Sequence, residues 1–221
     1  MLKGKIVHLV LLTSSDEDLK FYIKVGQEKE NVTNLTDRFI GVAFENIRDS
    51  FIESYEDDDS SDFIFNIMWG KRKIGILYIL CEVEKRTAEI QVLLSERKYR
   101  KLGLAFDAIY TAVKFAREEL NLHSITFRFA SHNEEMVKAF KYSQYGYEQI
   151  KKSSKENVEI DEIKGIPDIV FRKEFISRGR VSDYYTYTFI IDDDNFPYED
   201  FLRLSSGIHE KYTNEEGKFQ I

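Results

Sequence analysis

The stretch best suited to binding a phosphorylated ligand is the short loop at residues 100–105. It consists of Arg100, Lys101, Leu102, Gly103, Leu104 and Ala105. Small residues let backbone amides approach a ligand closely, and the free N–H groups of a first helical turn form a site for an anion. Arg97 and Lys98 add positive charge just before the loop, although a solvated surface would explain these two equally well. The 100–105 loop therefore predicts a binding site for a diphosphate.

A strand and a helix on either side of the 100–105 loop would hold it in place. Before the loop, residues 88–95 alternate between apolar and mostly polar side chains, which is typical of a strand. After it, apolar residues recur at intervals of three and four: Leu104, Ala108, Ala112, Phe115 and Ala116. That spacing predicts a helix that begins at the loop. A helix that starts after a strand and a glycine-containing loop is an arrangement that suits a diphosphate.

The rest of the chain predicts a mixed α/β domain. Strands are predicted at residues 5–13, 63–69, 74–83 and 123–130, from Tyr147 onward, and at 169–176 and 181–191. Helices are predicted at residues 16–26, with Ser14 or Ser15 as the N-cap, and at 36–51 and 133–141. The acidic run at residues 56–62 would be either a solvated loop or a patch that attracts a cationic ligand.

Composition limits the kind of protein that this sequence encodes. The 221 residues, 43% of them hydrophobic, fit one medium-sized domain. A net charge of −7 argues against general affinity for nucleic acid. The single cysteine, Cys81, excludes an intramolecular disulfide, and no stretch approaches the roughly 20 apolar residues that a membrane-spanning helix needs. Both observations lead us to expect a cytoplasmic protein. The four histidines lack metal-ligand spacing, so we expect no metal site.

The element order and four motifs resemble the GCN5-related N-acetyltransferase (GNAT) superfamily, in the branch of the ribosomal-protein alanine and spermidine acetyltransferases. The 100–105 loop matches the family's Arg/Gln-x-x-Gly-x-Gly/Ala, and residues 88–92 look like its fourth strand. Asn133, followed by the Tyr-Gly-Tyr at residues 145–147, resembles its Asn…Gly-Phe segment. Residues 179–187 are similar to the closing hairpin of this branch. The resemblance extends over about residues 4–191.

This resemblance implies an α/β acyl-CoA N-acyltransferase fold, with a mixed, mostly antiparallel, splayed sheet and helices on both faces. The acetyltransferase domain would cover residues 1–191, with an insertion at about 151–168, and residues 192–221 would form a tail with one helix. The implied reaction is direct transfer of the acetyl group of acetyl-CoA to a primary amine, which is a small cationic molecule or a protein N-terminus. Members of this branch often self-associate, so a homo-oligomer is one expectation.

The resemblance also implies where the coenzyme would bind. Its diphosphate would rest on the backbone amides of the 100–105 loop, and its pantetheine arm would lie beside Val92, Leu93 and Leu94. A backbone N–H on that strand would polarise the thioester oxygen. Asn133 would either donate a hydrogen bond to the pantetheine or cap its own helix.

Acetyl transfer to an amine needs a base, since an alkylamine is protonated near pH 7, and it needs an acid for the departing thiolate. Glu89 is the predicted base, acting directly or through a water, because it lies on the strand that would hold the thioester. Tyr142 is the predicted acid when positions are counted back from Gly146, whereas counting forward from Asn133 puts Phe140 in that place. A protein without the acid would be a non-catalytic acyl-CoA-binding regulatory module, which is the alternative function.

Overall fold

The order of helices and strands in the computed structural model follows the periodicity of the sequence. The structure describes residues 1–29, 31, 42–55, 61–100, 103–130, 133, 168–176 and 180–191. Its helices are α1 (Asp16–Gln27), α2 (Phe44–Tyr55) and α3 (Leu104–Glu118). Its strands are β1 (Leu2–Lys3), β2 (His8–Leu11), β3 (Phe63–Trp69), β4 (Arg72–Glu82), β5 (Thr87–Leu94), β6 (Ser124–Ala130), β7 (Asp168–Ile176) and β8 (Arg180–Ile190). Within these ranges, none of the helices has the length and hydropathy needed to cross a bilayer.

The eight described strands belong to one sheet, in the order β1-β2-β3-β4-β5-β6-β8-β7. Neighbouring strands are antiparallel except for β5 and β6, which run parallel. The parallel pairing covers three residue pairs: Thr87–Ser124, Ala88–Ile125 and Glu89–Thr126. Among the described residues, β5 has no partner on β6 beyond Glu89, so the two strands separate there and leave a gap. The predicted mixed, mostly antiparallel and splayed sheet is confirmed.

Helices cover both faces of the sheet, as predicted. The apolar side of α3 packs on one face, where its buried residues are Leu104, Ala108, Ile109, Ala112, Val113 and Ala116. On the opposite face, the buried residues of α1 and α2 are Leu19, Tyr22, Val25, Ile47 and Phe51. Strand β5 contributes Ile90 and Leu94 to the α3 face and Leu93 to the α1/α2 face. Alternate residues of β5 therefore face different layers, as a two-sided strand requires.

Arg86, in the turn before β5, holds the closed end of the gap between β5 and β6. Arg86 has a left-handed backbone conformation (φ 54°), as does Asn121 (φ 51°) in the loop before β6. Nε and Nη2 of Arg86 donate to the carbonyl oxygen of Asn121 at 3.0 and 2.8 Å. The Arg86 carbonyl oxygen accepts from the N–H of His123 at 2.7 Å. These bonds join the two strands where their parallel pairing begins.

The predicted strand at residues 5–13 begins too early, because β2 starts at His8. The three residues before it direct their N–H groups to the carboxylate of Asp107 on α3: Lys5 at 3.0 Å, Ile6 at 2.7 Å and Val7 at 2.8 Å. Asp107 is completely buried, so these hydrogen bonds are needed to satisfy its charge. The chain therefore turns between β1 and β2 where the alternating pattern predicts a strand.

The other predicted elements match the structure or fall outside the described residues. Helix α1 with Ser15 as its N-cap, strands β3 to β6 and the β7–β8 hairpin are confirmed, with ends that differ by a few residues. The second helix is confirmed from Phe44 and runs to Tyr55, but Val42 and Ala43, which lie within the predicted 36–51 range, are not helical. Five predicted features lie outside the described residues. They are the start of that helix at 36, the helix at 133–141 apart from Asn133, the strand from 147, the insertion at about 151–168 apart from Asp168, and the tail at 192–221.

A polar cluster around Asp18 fastens the start of α1 to the sheet. The Asp18 carboxylate, in a residue that is 8% exposed, accepts from the N–H of Thr13 at 2.9 Å, Nδ2 of Asn66 at 3.0 Å and Nζ of Lys73 at 2.6 Å. Burial alone would raise the pKa of Asp18, but the hydrogen bonds from Lys73 and Thr13 outweigh it and lower the pKa below 3.8. Burial would lower the pKa of Lys73, but its hydrogen bonds to Asp18 and Glu17 raise it.

We predict that Lys73→Met lowers the free energy of unfolding at pH 7 by about 1–2 kcal/mol, since a partly buried hydrogen bond to a charged group is lost. Because the folded pKa of Asp18 is lowered, its stabilisation is present above the unfolded value of 3.8 and is lost as the pH falls through the folded value. Urea unfolding between about pH 2 and pH 7 should therefore show a smaller acid-side loss in the variant. Lys71→Met, in the exposed β3–β4 turn, is the control, and an equal acid-side loss in wild type and Lys73→Met would contradict the prediction.

Candidate active site

The 100–105 loop connects the end of β5 to the start of α3, as predicted. A 3₁₀ turn at Arg97–Tyr99 follows β5, and Gly103 is the N-cap of α3 with a φ of 72°. That left-handed conformation favours glycine, which has no Cβ to clash with its own backbone. Gly103 also has no side chain that could cap the helix, so the N–H groups of Leu104 and Ala105 lack an acceptor within α3.

Asp107, an acidic residue in the first turn of α3, is hydrogen-bonded to the turn between β1 and β2. Its N–H donates to the Gly103 carbonyl oxygen at 3.0 Å, which closes the first helical turn. A Cβ on Gly4 would collide with Oδ2 of Asp107 and with Oγ1 of Thr111, so the turn can approach this closely because residue 4 is a glycine. The Asp107 carboxylate accepts hydrogen bonds from three amides of that turn, which stabilise its negative charge, and it is therefore not available to a ligand.

Asn31 is a site residue that sequence reasoning missed. Its side chain, in a residue that is 5% exposed, donates from Nδ2 to the carbonyl oxygens of Val25 at 2.8 Å and Leu94 at 3.0 Å. Its Oδ1 accepts from Nη2 of Arg100 at 3.2 Å. One amide group thus joins the end of α1, the end of β5 and Arg100, the first residue of the 100–105 loop. No signal in the sequence distinguishes Asn31 from the polar residues around it.

One edge of β5 pairs with β4, and within the described ranges its other edge is unpaired where β6 diverges. The Leu93 carbonyl oxygen points toward β4, because a Cβ on Gly75 of β4 would collide with it. The Leu94 carbonyl oxygen points the other way, to the Asn31 amide. Backbone groups alternate in direction along a strand, so the N–H and C=O of Val92 point into the gap. The edge predicted to bind the pantetheine arm therefore directs polar backbone groups into the gap.

Glu89 lies where β5 and β6 separate and shares the α1/α2 face of the sheet with Leu93. Its side chain is 21% exposed. Oε1 accepts from Nε2 of Gln91 at 2.6 Å, and Oε2 lies 3.4 Å from Nη2 of Arg128 on β6. Sequence reasoning missed Arg128: the alternation in β6 places it opposite the apolar residues, but nothing in the sequence pairs it with Glu89.

The cations near the 100–105 loop differ in their surroundings. Nζ of Lys98 forms an ion pair with Oε2 of Glu96 at 2.8 Å, and the hydrogen bond between them raises the pKa of Lys98. Arg97 is exposed, whereas Arg100 is half-buried beside the Asn31 amide. Through this contact with Asn31, Arg100 is tied to the framework around the loop.

Several predicted site residues lie outside the part of the chain that the structure describes: Lys101, Leu102, Tyr142 and its alternative Phe140. Asn133 is described and half-buried, three residues beyond the end of β6. The acidic run at 56–62 is described from residue 61 onward. The acid for the departing thiolate therefore stays a prediction.

Cys81, on β4, does not add a reactive thiol to the site. Burial, with a smaller contribution from the Asp62 carboxylate, raises the pKa of the Cys81 thiol to about 11. A thiol with this pKa is almost fully protonated near pH 7 and is a poor nucleophile. In the described ranges, no three His, Cys, Asp or Glu side chains come together in a group that could hold a metal ion.

A comparison with protein families identifies the class of this site. The model of the family described as "Acetyltransferase (GNAT) domain" matches residues 8–143, which is more than half of the chain. The chain belongs to the GNAT acetyltransferase family. The match covers Glu89, the 100–105 loop and Asn133 of this GNAT protein, and it confirms the family resemblance seen in the sequence. The protein is an N-acetyltransferase. No curated protein matches it.

Solved structures of acetyltransferases share the fold of this GNAT protein at low sequence identity. A spermidine N-acetyltransferase from Vibrio cholerae, in complex with CoA and spermine, is 17% identical with a TM-score of 0.64, over 90% of this chain and 99% of that one. A dodecameric structure of spermidine N-acetyltransferase from Vibrio cholerae is 18% identical with a TM-score of 0.60, over 85% of this chain and 95% of that one. At these identities the likeness establishes the fold alone.

Proposed function

We propose that this protein transfers the acetyl group of acetyl-CoA to a primary amine by direct attack within a ternary complex. The observation that carries the proposal is the gap between β5 and β6, which opens at Glu89, together with the following N-terminus of α3, where Gly103 supplies no side-chain cap. Backbone groups directed into the gap suit an extended ligand, and the helix end suits a diphosphate. The Vibrio cholerae neighbour in complex with CoA and spermine supports acetyl-CoA as the acetyl donor.

The residues around the gap fit coenzyme A in two respects. At the helix end, the N–H groups of Leu104 and Ala105 lack acceptors within α3, and the Arg100 guanidinium adds positive charge. Along the gap, the backbone of Val92 is directed away from β4. The residues proposed to hold the diphosphate are Arg100, Lys101, Leu102, Gly103, Leu104 and Ala105, and those proposed for the pantetheine arm are Val92, Leu93, Leu94 and Asn133. The coenzyme would supply the acetyl group as an activated thioester.

Glu89 is the proposed base. An alkylammonium, with a pKa of about 10, must lose a proton before its nitrogen can attack. The Glu89 carboxylate accepts that proton directly or through a water, and the N–H of Val92 donates to the thioester oxygen as negative charge develops on it. Tyr142 donates a proton to the leaving sulfur. If Phe140 occupies that place instead, the thiolate leaves and takes its proton from solvent. The amide C–N bond forms as the C–S bond breaks.

A small cationic amine is the proposed acceptor, and a protein N-terminus is the alternative. The small amine is favoured because both solved neighbours described above are spermidine N-acetyltransferases, whereas the ribosomal-protein alanine branch has no such support. We further propose that the protein is cytoplasmic, that its domain covers residues 1–191 and is followed by a tail at 192–221, and that it self-associates. One of the two neighbours is dodecameric, which supports self-association.

Thiol release from acetyl-CoA with a panel of amines tests the proposed function. The panel contains spermidine, aminoglycosides, amino sugars and peptides with ribosomal-protein N-termini. We expect thiol release that depends on at least one small amine, with the acetylated product identified by mass spectrometry. Turnover with the peptides alone would assign the protein N-terminus as acceptor. Binding of acetyl-CoA without turnover across the whole panel would support the non-catalytic module instead.

A further inference from the structure

The ion pair between Glu89 and Arg128 bridges β5 and β6 at the point where the strands separate. Backbone pairing ends at Glu89 and Thr126, and Arg128 lies two residues further along β6 on the same face. Its guanidinium reaches back across the gap, so that Nη2 lies 3.4 Å from Oε2 of Glu89. The other carboxylate oxygen accepts from Gln91 at 2.6 Å. The carboxylate is therefore contacted at both oxygens, from two different strands.

We propose that Arg128 is a positioning residue for acetyl transfer, which fixes the orientation of the Glu89 carboxylate. This inference deepens the proposed function and rests on it, because Glu89 acts as the base only if the protein acetylates an amine. Arg128 acts through Glu89 and touches neither the acceptor nor the coenzyme in this role.

The physical reason is that a base must be held at the distance of the proton it accepts. A glutamate side chain has three rotatable bonds, and a base must come within about 2.6–3.2 Å of its proton donor. The hydrogen bond from Gln91 constrains Oε1 but leaves the carboxylate free to rotate about that contact. The planar guanidinium of Arg128, with its several N–H donors, constrains Oε2 as well.

The residues directly beside Glu89 in the sheet carry no charge that could orient its carboxylate. The residues directly beside it in the register are Leu80 on β4 and Thr126 on β6, and neither carries a charge. Gln91, two residues along β5, is neutral as well. Among the residues that the structure describes on these three strands, Arg128 is therefore the charged group that lies against the Glu89 carboxylate.

Loss of Arg128 should affect the reaction more than the fold. The Arg128 side chain is 37% exposed and that of Glu89 21%, and ion pairs at such partly exposed sites contribute little to stability. A displacement of a reacting group by about 1 Å, in contrast, can lower a rate by up to about 10²-fold. We therefore expect a loss of kcat that is much larger than any loss of thermal stability.

A double-mutant cycle with Arg128→Met and Glu89→Gln tests the inference. With saturating amine, Arg128→Met should lower kcat by about tenfold and leave the KM for acetyl-CoA within about twofold of the wild-type value. In the Glu89→Gln background, Arg128→Met should change kcat by less than about twofold, because no base is left to orient. Arg128→Lys keeps the positive charge and should recover part of the lost rate. Circular dichroism monitors folding, and Arg128→Gln replaces Arg128→Met if the methionine variant unfolds.

The possible outcomes distinguish a failure of the positioning role of Arg128 from a failure of the proposed acetyltransferase function. An equal loss of kcat in both backgrounds would overturn the positioning role and leave the proposed function intact. A raised KM for acetyl-CoA with an unchanged kcat would also overturn it, because Arg128 would then set the width of the gap. A wild-type protein that acetylates no amine in the panel would overturn the proposed function, and the role of Arg128 with it.

Discussion

Glu89→Gln lowers kcat for acetyl transfer by about 10²-fold near pH 7, because an amide cannot accept a proton from the ammonium of the acceptor. Glutamine has the size of glutamate and can still contact Gln91, so the packing of β5 should stay the same. The deficit shrinks as the pH rises toward the acceptor's own pKa of about 10, where solvent removes the proton. Initial rates between about pH 6.5 and pH 10, at saturating acetyl-CoA, measure both effects.

Glu84→Gln is the matched control for this experiment. Glu84 is exposed in the 3₁₀ turn at Val83–Lys85, which precedes β5 and lies outside the proposed site. The same chemical change should leave kcat and its pH dependence unchanged there. A loss in Glu89→Gln that is equal at every pH would argue against Glu89 as the base, and would indicate a role in binding or packing.

Asp107→Ala lowers the free energy of unfolding by about 3–5 kcal/mol, since three backbone N–H groups lose a charged acceptor and each unsatisfied buried group costs about 1–3 kcal/mol. The N–H groups are those of Lys5, Ile6 and Val7, and the first two are partly exposed, so water replaces part of the loss. The β1–β2 turn and the first turn of α3 are both weakened. Equilibrium unfolding in urea, with the slope compared between variant and wild type, measures the effect.

Two further variants calibrate the Asp107 result. Glu118→Ala removes an exposed carboxylate from the last turn of the same helix and should change stability by less than about 0.5 kcal/mol. Asp107→Asn should fall between the two, because its oxygen still accepts while its NH₂ group faces another donor. A change below about 1 kcal/mol in Asp107→Ala would show that the carboxylate is not what holds the turn.

The elements around the site could be predicted because their signals are local. The alternation in β5 and the three–four spacing in α3 each lie within one element, and Gly103 marks the boundary between them. The turn before His8 could not be predicted, because the acceptor of its N–H groups is Asp107, 100 residues away from Val7. A pattern that fits a strand gives no information about a carboxylate that arrives from the other end of the fold.

The same distinction explains which candidate site residues could be predicted. Glu89 and Gly103 lie in motifs whose spacing is visible along the chain. Asn31 contacts residues 63 and 69 positions away, Leu94 and Arg100, so its importance depends on tertiary packing alone. Arg128 meets Glu89 because β5 and β6 run parallel with α3 between them, and no spacing rule gives that pairing. Long-range contacts of this kind were the limit of prediction from the sequence.

The hydrogen bonds of Arg86 fix one end of the gap between β5 and β6. At a rise of about 3.3 Å per residue, Glu89 lies about 7 Å from Thr87, and Leu94 lies about 23 Å from it. Any rotation of β5 relative to β6 about this fixed end would therefore displace Leu94 roughly three times as far as Glu89. Such a rotation would widen the gap most at Leu94, with little displacement of Glu89, the proposed base.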